Sequence, residues 1–147
     1  MTIRRFEDIN CWADARELTR QVYRHTSRDR FARDFGLRDQ KSRAAGSVMH
    51  NIAEGFDCGS DVEFMRFLRY AQRPCTEVQS ELYVALDQQY ITDHQFKTLF
   101  EHAEKVRAKI GGFVKYLLSS KASGRRTNDG TTKDEMTRDE ATGGSDG

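Results

Sequence analysis

The stretch from residue 36 to residue 56, GLRDQKSRAAGSVMHNIAEGF, constrains the fold most, because its apolar residues recur at the spacing of an α-helix. On a helix they form one stripe that can face a core: Leu37, Ala44, Ala45, Val48 and Ile52. Small residues fill the centre of the stretch, which favours close packing against neighbouring helices. Gly55, near its end, predicts a left-handed stop of the kind that helix C-termini favour.

A second stripe of polar side chains runs beside the apolar one, and we call it the polar ladder: Gln40, Arg43, Ser47, Asn51 and Glu54. Most polar residues are exposed, so the ladder can be a solvated flank of the helix. Its side chains can also satisfy one another by hydrogen bonds, which fits a buried helix–helix or subunit seam. The sequence leaves both interpretations open.

Three further segments show the same helical period, so the chain predicts four long helices. The first spans residues 6 to 26 and places Trp12 in the core, the third runs to about Gln89, and the fourth begins after Thr92. Ser60 and Thr92 are the expected N-caps. Pro74 interrupts the third helix, but the apolar stripe stays in phase across it, so we expect a kink in one continuing helix.

The run from Asn51 to Gly55, together with Leu37, Gln40, Arg43, Ala44 and Ser47, resembles the hallmark of the four-helix-bundle proteins encoded in bacterial ribosomal-RNA intervening sequences. Phe6 to Ile9 with Trp12, and Glu63-Phe64 with Phe67-Leu68, extend the resemblance to about residues 5–119. The same fold occurs in the more distantly related accessory variability proteins of diversity-generating retroelements. The resemblance implies an all-α, up-down antiparallel four-helix bundle, a ring-shaped homopentamer and no established enzymatic activity.

The 147 residues are enough for one domain with a sizeable core, which we assign to residues 1–119. Residues 120–147 contain no aromatic side chain and abundant Gly, Thr and Asp, so we expect a disordered polar tail. No apolar run reaches the length of a membrane helix, and the N-terminus has no apolar stretch typical of a secretory signal. We therefore expect a cytoplasmic protein.

The segment from Ser27 to Phe35, SRDRFARDF, is the most arginine-dense part of the chain, and two Phe residues are interleaved with the arginines. Arginine beside exposed aromatic rings can grip phosphates and stack on unpaired bases. Alternatively, the Phe rings lie under the bundle while nearby Asp side chains balance the arginines. The candidate nucleic-acid-binding residues are Arg24, Arg28, Arg30, Arg33, Arg38 and Lys41.

The sequence contains no pattern of a catalytic, metal or cofactor site. None of its four His residues has a Glu three positions earlier, as the di-iron sites of four-helix bundles require. His50 and Glu54 supply only two ligands, and Ser47 near His50 lacks the other parts of a triad. The three Cys residues are odd in number and far apart, without a CxxC pair, so we expect free thiols and neither a disulfide nor a zinc site. We expect no enzyme, metal or cofactor.

Two classes of function are compatible with this sequence. Residues 1–43 hold 11 Lys and Arg against 7 Asp and Glu although the whole chain has a net charge of +1, which is weak support for nucleic-acid contact. The resemblance supports an oligomeric accessory protein that binds RNA or DNA, with a reverse transcriptase as a further partner. The alternative is a structural or protein-interaction scaffold without a nucleic-acid role, in which the polar ladder is the functional surface.

Overall fold

The computed structural model describes residues 3–122, and all of the regular structure in this range is helical. After a short 3-10 turn at Phe6–Asp8, the helices are α1 (Asn10–Thr26), α2 (Asp29–Arg33), α3 (Phe35–Asp57), α4 (Asp61–Asp87) and α5 (Asp93–Ala122). The expected all-α class is confirmed, and α2 is an additional short helix in the arginine-dense segment. Of the expected tail at 120–147, residues 120–122 continue α5 and the remainder lies outside the described residues.

The four long helices form a ring in which α3 lies against α4, α4 against α5, and α1 against both α3 and α5. Side chains show that α1 and α3 run in opposite directions. The Thr19 hydroxyl donates to the Ala45 carbonyl at 3.0 Å, and Thr26 Oγ1 lies 3.3 Å from Ser42 Oγ, so later positions of α1 meet earlier positions of α3.

The pair α4 and α5 is antiparallel as well. Gln72 Nε2 donates to the Arg107 carbonyl at 3.2 Å, and Gln79 Nε2 donates to the Phe100 carbonyl at 3.3 Å. With the short connections between α3, α4 and α5, this order gives an up-down antiparallel bundle. One end of the bundle carries α2 together with the α4–α5 connection.

The core contains the apolar stripes that the sequence indicates. All seven positions of the apolar stripe on α4 are buried: Phe64, Leu68, Ala71, Cys75, Val78, Leu82 and Ala85. Trp12 is buried beside Phe6, with ring centroids 5.1 Å apart in an edge-to-face arrangement. The prediction that Trp12 anchors the core is therefore confirmed.

The expected N-caps of α4 and α5 are present. Ser60 Oγ accepts a hydrogen bond from the Glu63 amide at 3.2 Å. Thr92 Oγ1 accepts from the Gln95 amide at 3.1 Å, and Gln95 Oε1 accepts from the Thr92 amide at 2.9 Å, which completes a capping box on α5. Helix α4 continues through Pro74, which is buried, as the unbroken phase of the stripe predicts.

Gly55 has a different role from the one expected. It lies inside α3, and a Cβ at this position would stand only 2.6 Å from Cβ of Phe67 on α4. Gly55 therefore permits close contact between two helices and does not end α3. The left-handed glycine of this turn is Gly59, with a φ of 74°.

Candidate nucleic-acid interface

One aromatic side chain of the short helix α2 is buried against the bundle. Phe31 is 1% exposed and stacks on Tyr90 of the α4–α5 connection, with ring centroids 5.3 Å apart. The neighbouring Arg28, Arg30 and Arg33 are all exposed. Burial of Phe31 therefore turns the arginines outward, and we call these three residues the arginine surface.

Nearby carboxylates do not neutralise the arginine surface. Within residues 3–122, the side chains of Arg28 and Arg33 have neither an ion pair nor a hydrogen bond, and the guanidinium of Arg30 lies 5.6 Å from the centre of the Tyr90 ring. Asp34 is used elsewhere, since its oxygens accept hydrogen bonds from the Leu37 amide at 3.3 Å and the Tyr90 hydroxyl at 2.9 Å. The positive charge of α2 is consequently available to an acidic partner.

Phe35 and Arg38 form an exposed pair beside this surface. The Phe35 side chain is 63% exposed, and the Arg38 guanidinium lies 4.8 Å from its ring centre. The guanidinium is held by an ion pair to Asp39 at 3.0 Å and by a hydrogen bond to the Ala32 carbonyl at 3.2 Å. Of the two Phe residues in the segment, one is therefore in the core and the other faces solvent.

Lys41 is separated from the other candidate contacts, which corrects the expectation from the sequence. Its side chain is 1% exposed, and Nζ lies 5.2 Å from the centre of the Phe31 ring without a hydrogen-bond partner. Burial lowers the pKa of Lys41 to about 7. A covered amine cannot reach a phosphate, whereas Arg24 near the end of α1 is exposed as expected.

Glu81 on α4 is the electrostatic partner of Lys41, and sequence reasoning missed this pair. Glu81 Oε2 is buried without a hydrogen-bond partner, and burial, followed by the charge of Glu77, raises the pKa of its carboxyl group to about 7. The charges of Lys41 and Glu81 attract each other and oppose both shifts. A signal was present, because Lys41 occupies a position of the apolar stripe between Leu37 and Ala44.

Two cavities flank α2. A cavity of about 740 Å³ lies between the C-terminal end of α1 and the first part of α3, with Arg38, Arg43 and His50 among its lining residues. A second, of about 600 Å³, lies between α2 and the start of α3 and includes Arg30 and Arg33. Cationic side chains therefore border open space on both sides of α2.

Within residues 3–122, the hydrogen bonds of the polar ladder join its two central side chains. Asn51 Nδ2 donates to the Ser47 carbonyl at 2.8 Å and lies 3.1 Å from Ser47 Oγ. Gln40, Arg43 and Glu54 are exposed in the single chain. This arrangement fits a flank that meets solvent or a second subunit, so the assignment as a seam stays a prediction.

No group of three or more His, Cys, Asp or Glu side chains within residues 3–122 could hold a metal ion. Cys11 and Cys75 are buried, and burial raises the pKa of each thiol to about 12, while Cys58 is exposed. None of the described helices combines the length and apolar character needed to cross a membrane.

The described residues thus define an all-α protein in which a short arginine-bearing helix is inserted into a bundle of four long helices. Residues 7–112 match the family model described as 23S rRNA-intervening sequence protein. The chain belongs to this family, which confirms the resemblance seen around Asn51 and Gly55.

A solved structure has the same fold. It is the crystal structure of a protein of unknown function from the S23 ribosomal protein family of Bacteroides thetaiotaomicron, with 18% sequence identity and a TM-score of 0.65. The match covers 71% of this chain and 98% of that chain. At this identity the likeness shows the fold alone. A search of curated proteins found no significant match.

Proposed function

We propose that this chain is a non-enzymatic accessory protein that binds RNA or DNA through the arginine surface of α2. The observation that carries the proposal is the exposure of three arginines, Arg28 at the N-cap of α2 and Arg30 and Arg33 within it, none of which forms an ion pair with a carboxylate in the described residues. Arginine forms bidentate hydrogen bonds with phosphate and stays charged at all physiological pH values. Arg24 and Arg38 extend the basic surface on either side.

The proposal includes assembly into a closed homopentamer. Five copies around an axis would repeat the arginine surface five times, so that several weak contacts act together. The exposed Gln40, Arg43 and Glu54 of the polar ladder are the side chains proposed to meet a neighbouring subunit. A reverse transcriptase is the proposed further partner, and its support is the resemblance to the retroelement accessory proteins.

The second candidate function is a protein-interaction scaffold. It is favoured by one observation, the exposed ends of the polar ladder on a helix whose other face is buried. In that case the charge of α2 serves solubility, and the ladder carries the function.

The test is fluorescence-anisotropy binding of an RNA hairpin and a DNA duplex over a salt series. On duplex DNA each neutralised phosphate contributes a log–log slope of about −0.9, so replacement of all three arginines of α2 by alanine should flatten the slope by roughly 2–3. In the matched control, alanine replaces three exposed lysines of α5, which are Lys97, Lys105 and Lys115. This control should change the slope less than the arginine variant does. Absence of binding by the unmodified protein at low salt would overturn the proposal and favour the scaffold.

A further inference from the structure

The cavity between α2 and the start of α3 combines cationic and aromatic groups in one place. Its lining residues are Arg30, Arg33, Asp34, Phe35, Gly36 and Tyr90, and its volume is about 600 Å³. We call it the nucleotide cleft. Phe35 is the notable member, because a Phe with 63% of its surface exposed contributes little to the core.

The exposed Phe35 ring has the Arg38 guanidinium as its neighbour. The Arg38 guanidinium covers part of the ring at 4.8 Å and is itself held by Asp39 and by the Ala32 carbonyl. The next residue, Gly36, borders open space, since a Cβ there would meet only one described atom, Asp34 Oδ1, at 4.0 Å. A flat ring can therefore approach both the Phe35 side chain and the backbone beside it.

The charges around the cleft are arranged on two sides. Arg30 and Arg33 supply the positive side. Both carboxylate oxygens of Asp34 accept hydrogen bonds, from the Leu37 amide and the Tyr90 hydroxyl, so this carboxylate is held at the wall of the cleft. A phosphate group would lie on the side of the two arginines, away from Asp34.

We propose that the nucleotide cleft holds one unpaired nucleotide, with its base stacked on Phe35 and its phosphate at Arg30 and Arg33. The inference rests on the proposed function and names the form of nucleic acid that the site prefers. The bases of a duplex are already stacked and paired, so they cannot present a free face to Phe35. A single strand or a loop can, because every base has a π-face that an aromatic side chain can cover.

The experiment measures fluorescence anisotropy with labelled oligouridine and oligothymidine of about 12 nucleotides and a DNA duplex of similar length. The variants are Phe35→Ala, the aromatic replacement Phe35→Trp, and the matched control Tyr23→Ala, whose exposed ring lines the other cavity. Thermal melting verifies that each variant is folded.

Phe35→Ala should weaken single-strand binding by about tenfold and duplex binding by less than about twofold. Its salt slope should be unchanged, because no phosphate contact is removed. Phe35→Trp should restore the affinity, and Tyr23→Ala should leave it as it was. Equal losses on RNA and DNA single strands assign the contact to the base, whereas a loss on one strand identifies that nucleic acid as the ligand.

Two results would overturn the inference. If Phe35→Ala weakens single strands and duplex equally, or changes neither, the cleft does not stack an unpaired base, although the proposed function stands as long as the unmodified protein binds. If the unmodified protein binds none of the probes, the proposed function fails and the inference fails with it.

Discussion

The Tyr90 hydroxyl donates a hydrogen bond of 2.9 Å to Oδ2 of Asp34, the residue that caps α3. The bond joins the connection between α4 and α5 to the junction of α2 and α3, which are far apart in the sequence. Together with the stacking of Phe31 on Tyr90, it holds the arginine surface against the end of the bundle. Two interactions of the Tyr90 side chain therefore help to hold α2 in place.

Replacement of Tyr90 by Phe removes the hydrogen bond and keeps the stacking. We expect a lower free energy of unfolding, measured by urea denaturation, because the hydrogen bond to the carboxylate is lost and the Phe ring cannot replace it. Tyr116→Phe, at an exposed site on α5, should be nearly neutral. In a double-mutant cycle, the losses of unfolding free energy caused by Asp34→Ala and Tyr90→Phe should sum to more than the loss in the double variant. Full additivity would mean that the two groups do not interact in solution.

Replacement of Lys41 by Met should stabilise the protein at low pH. The folded chain holds the Lys41 proton with a pKa of about 7, against an ordinary value of 10.5, because burial disfavours the charged amine. Its unfavourable contribution is therefore complete below pH 7 and fades as the pH rises to about 10.5. At pH 6 the Glu81 carboxyl, whose pKa is raised to about 7, is mainly protonated, so Lys41→Met removes a buried charge without leaving a charged partner behind and should raise the free energy of unfolding.

The gain in the free energy of unfolding of Lys41→Met should shrink as the pH rises from 7 to 10. Chemical denaturation of both proteins at each pH measures this gain. Lys97→Met, at an exposed lysine, is the control and should show no such trend. The Glu81 carboxyl has its pKa raised to about 7, so its own unfavourable contribution grows from about pH 4.5 to 7. This contribution increases in the variant, which lacks the Lys41 charge that lowers the Glu81 pKa, and it too makes the gain shrink with pH. A gain that is constant with pH would show that Lys41 is not buried as described.

Two glycine-to-alanine changes should have opposite effects. At Gly55 a Cβ would stand 2.6 Å from Cβ of Phe67, so Gly55→Ala must push α3 and α4 apart and should lower stability by about 1–3 kcal/mol. At Gly112 a Cβ would meet no described atom within 4 Å beyond its chain neighbours and the backbone of its own helix, so alanine should stabilise α5 by about 0.5–1 kcal/mol. Thermal melting of both variants checks the pair. Equal effects of the same sign would contradict the close approach at Gly55.

The polar ladder yields a prediction about assembly. If it is a subunit seam, Arg43→Ala should lower the mass measured by light scattering while the helical content is retained, because Arg43 is exposed in the single chain. Asn51→Ala should lower the melting temperature as well, since it removes the hydrogen bonds to Ser47. Unchanged mass and melting temperature in both variants would identify the ladder as an ordinary exposed flank.

The bundle could be predicted from the sequence because a helical stripe directly marks the buried face of each helix. The departures depend on contacts between distant residues. Lys41 was expected at the surface because of its charge, and its burial requires Phe31 from α2 and Glu81 from α4. Gly55 was expected to end a helix, and only the position of Phe67 across the turn shows that it serves close packing.

The site was predictable in composition and only partly in arrangement. The density of Arg residues with interleaved Phe was visible in the sequence, but not which ring would be buried. The spacing of Phe31 and Phe35, four residues apart, would put both on one helical face if the helix were continuous. The break at Asp34 between α2 and α3 separates them, so one ring enters the core and the other faces solvent.

Attachment of α2 through Phe31 also bears on how this protein can diverge. The side chains that would contact a ligand point away from the core, so exchanges at Arg28, Arg30 and Arg33 leave the packing of the long helices unchanged. Selection can therefore alter the charge of this segment without loss of folding. A bundle with this interior can for this reason carry a different charge on α2.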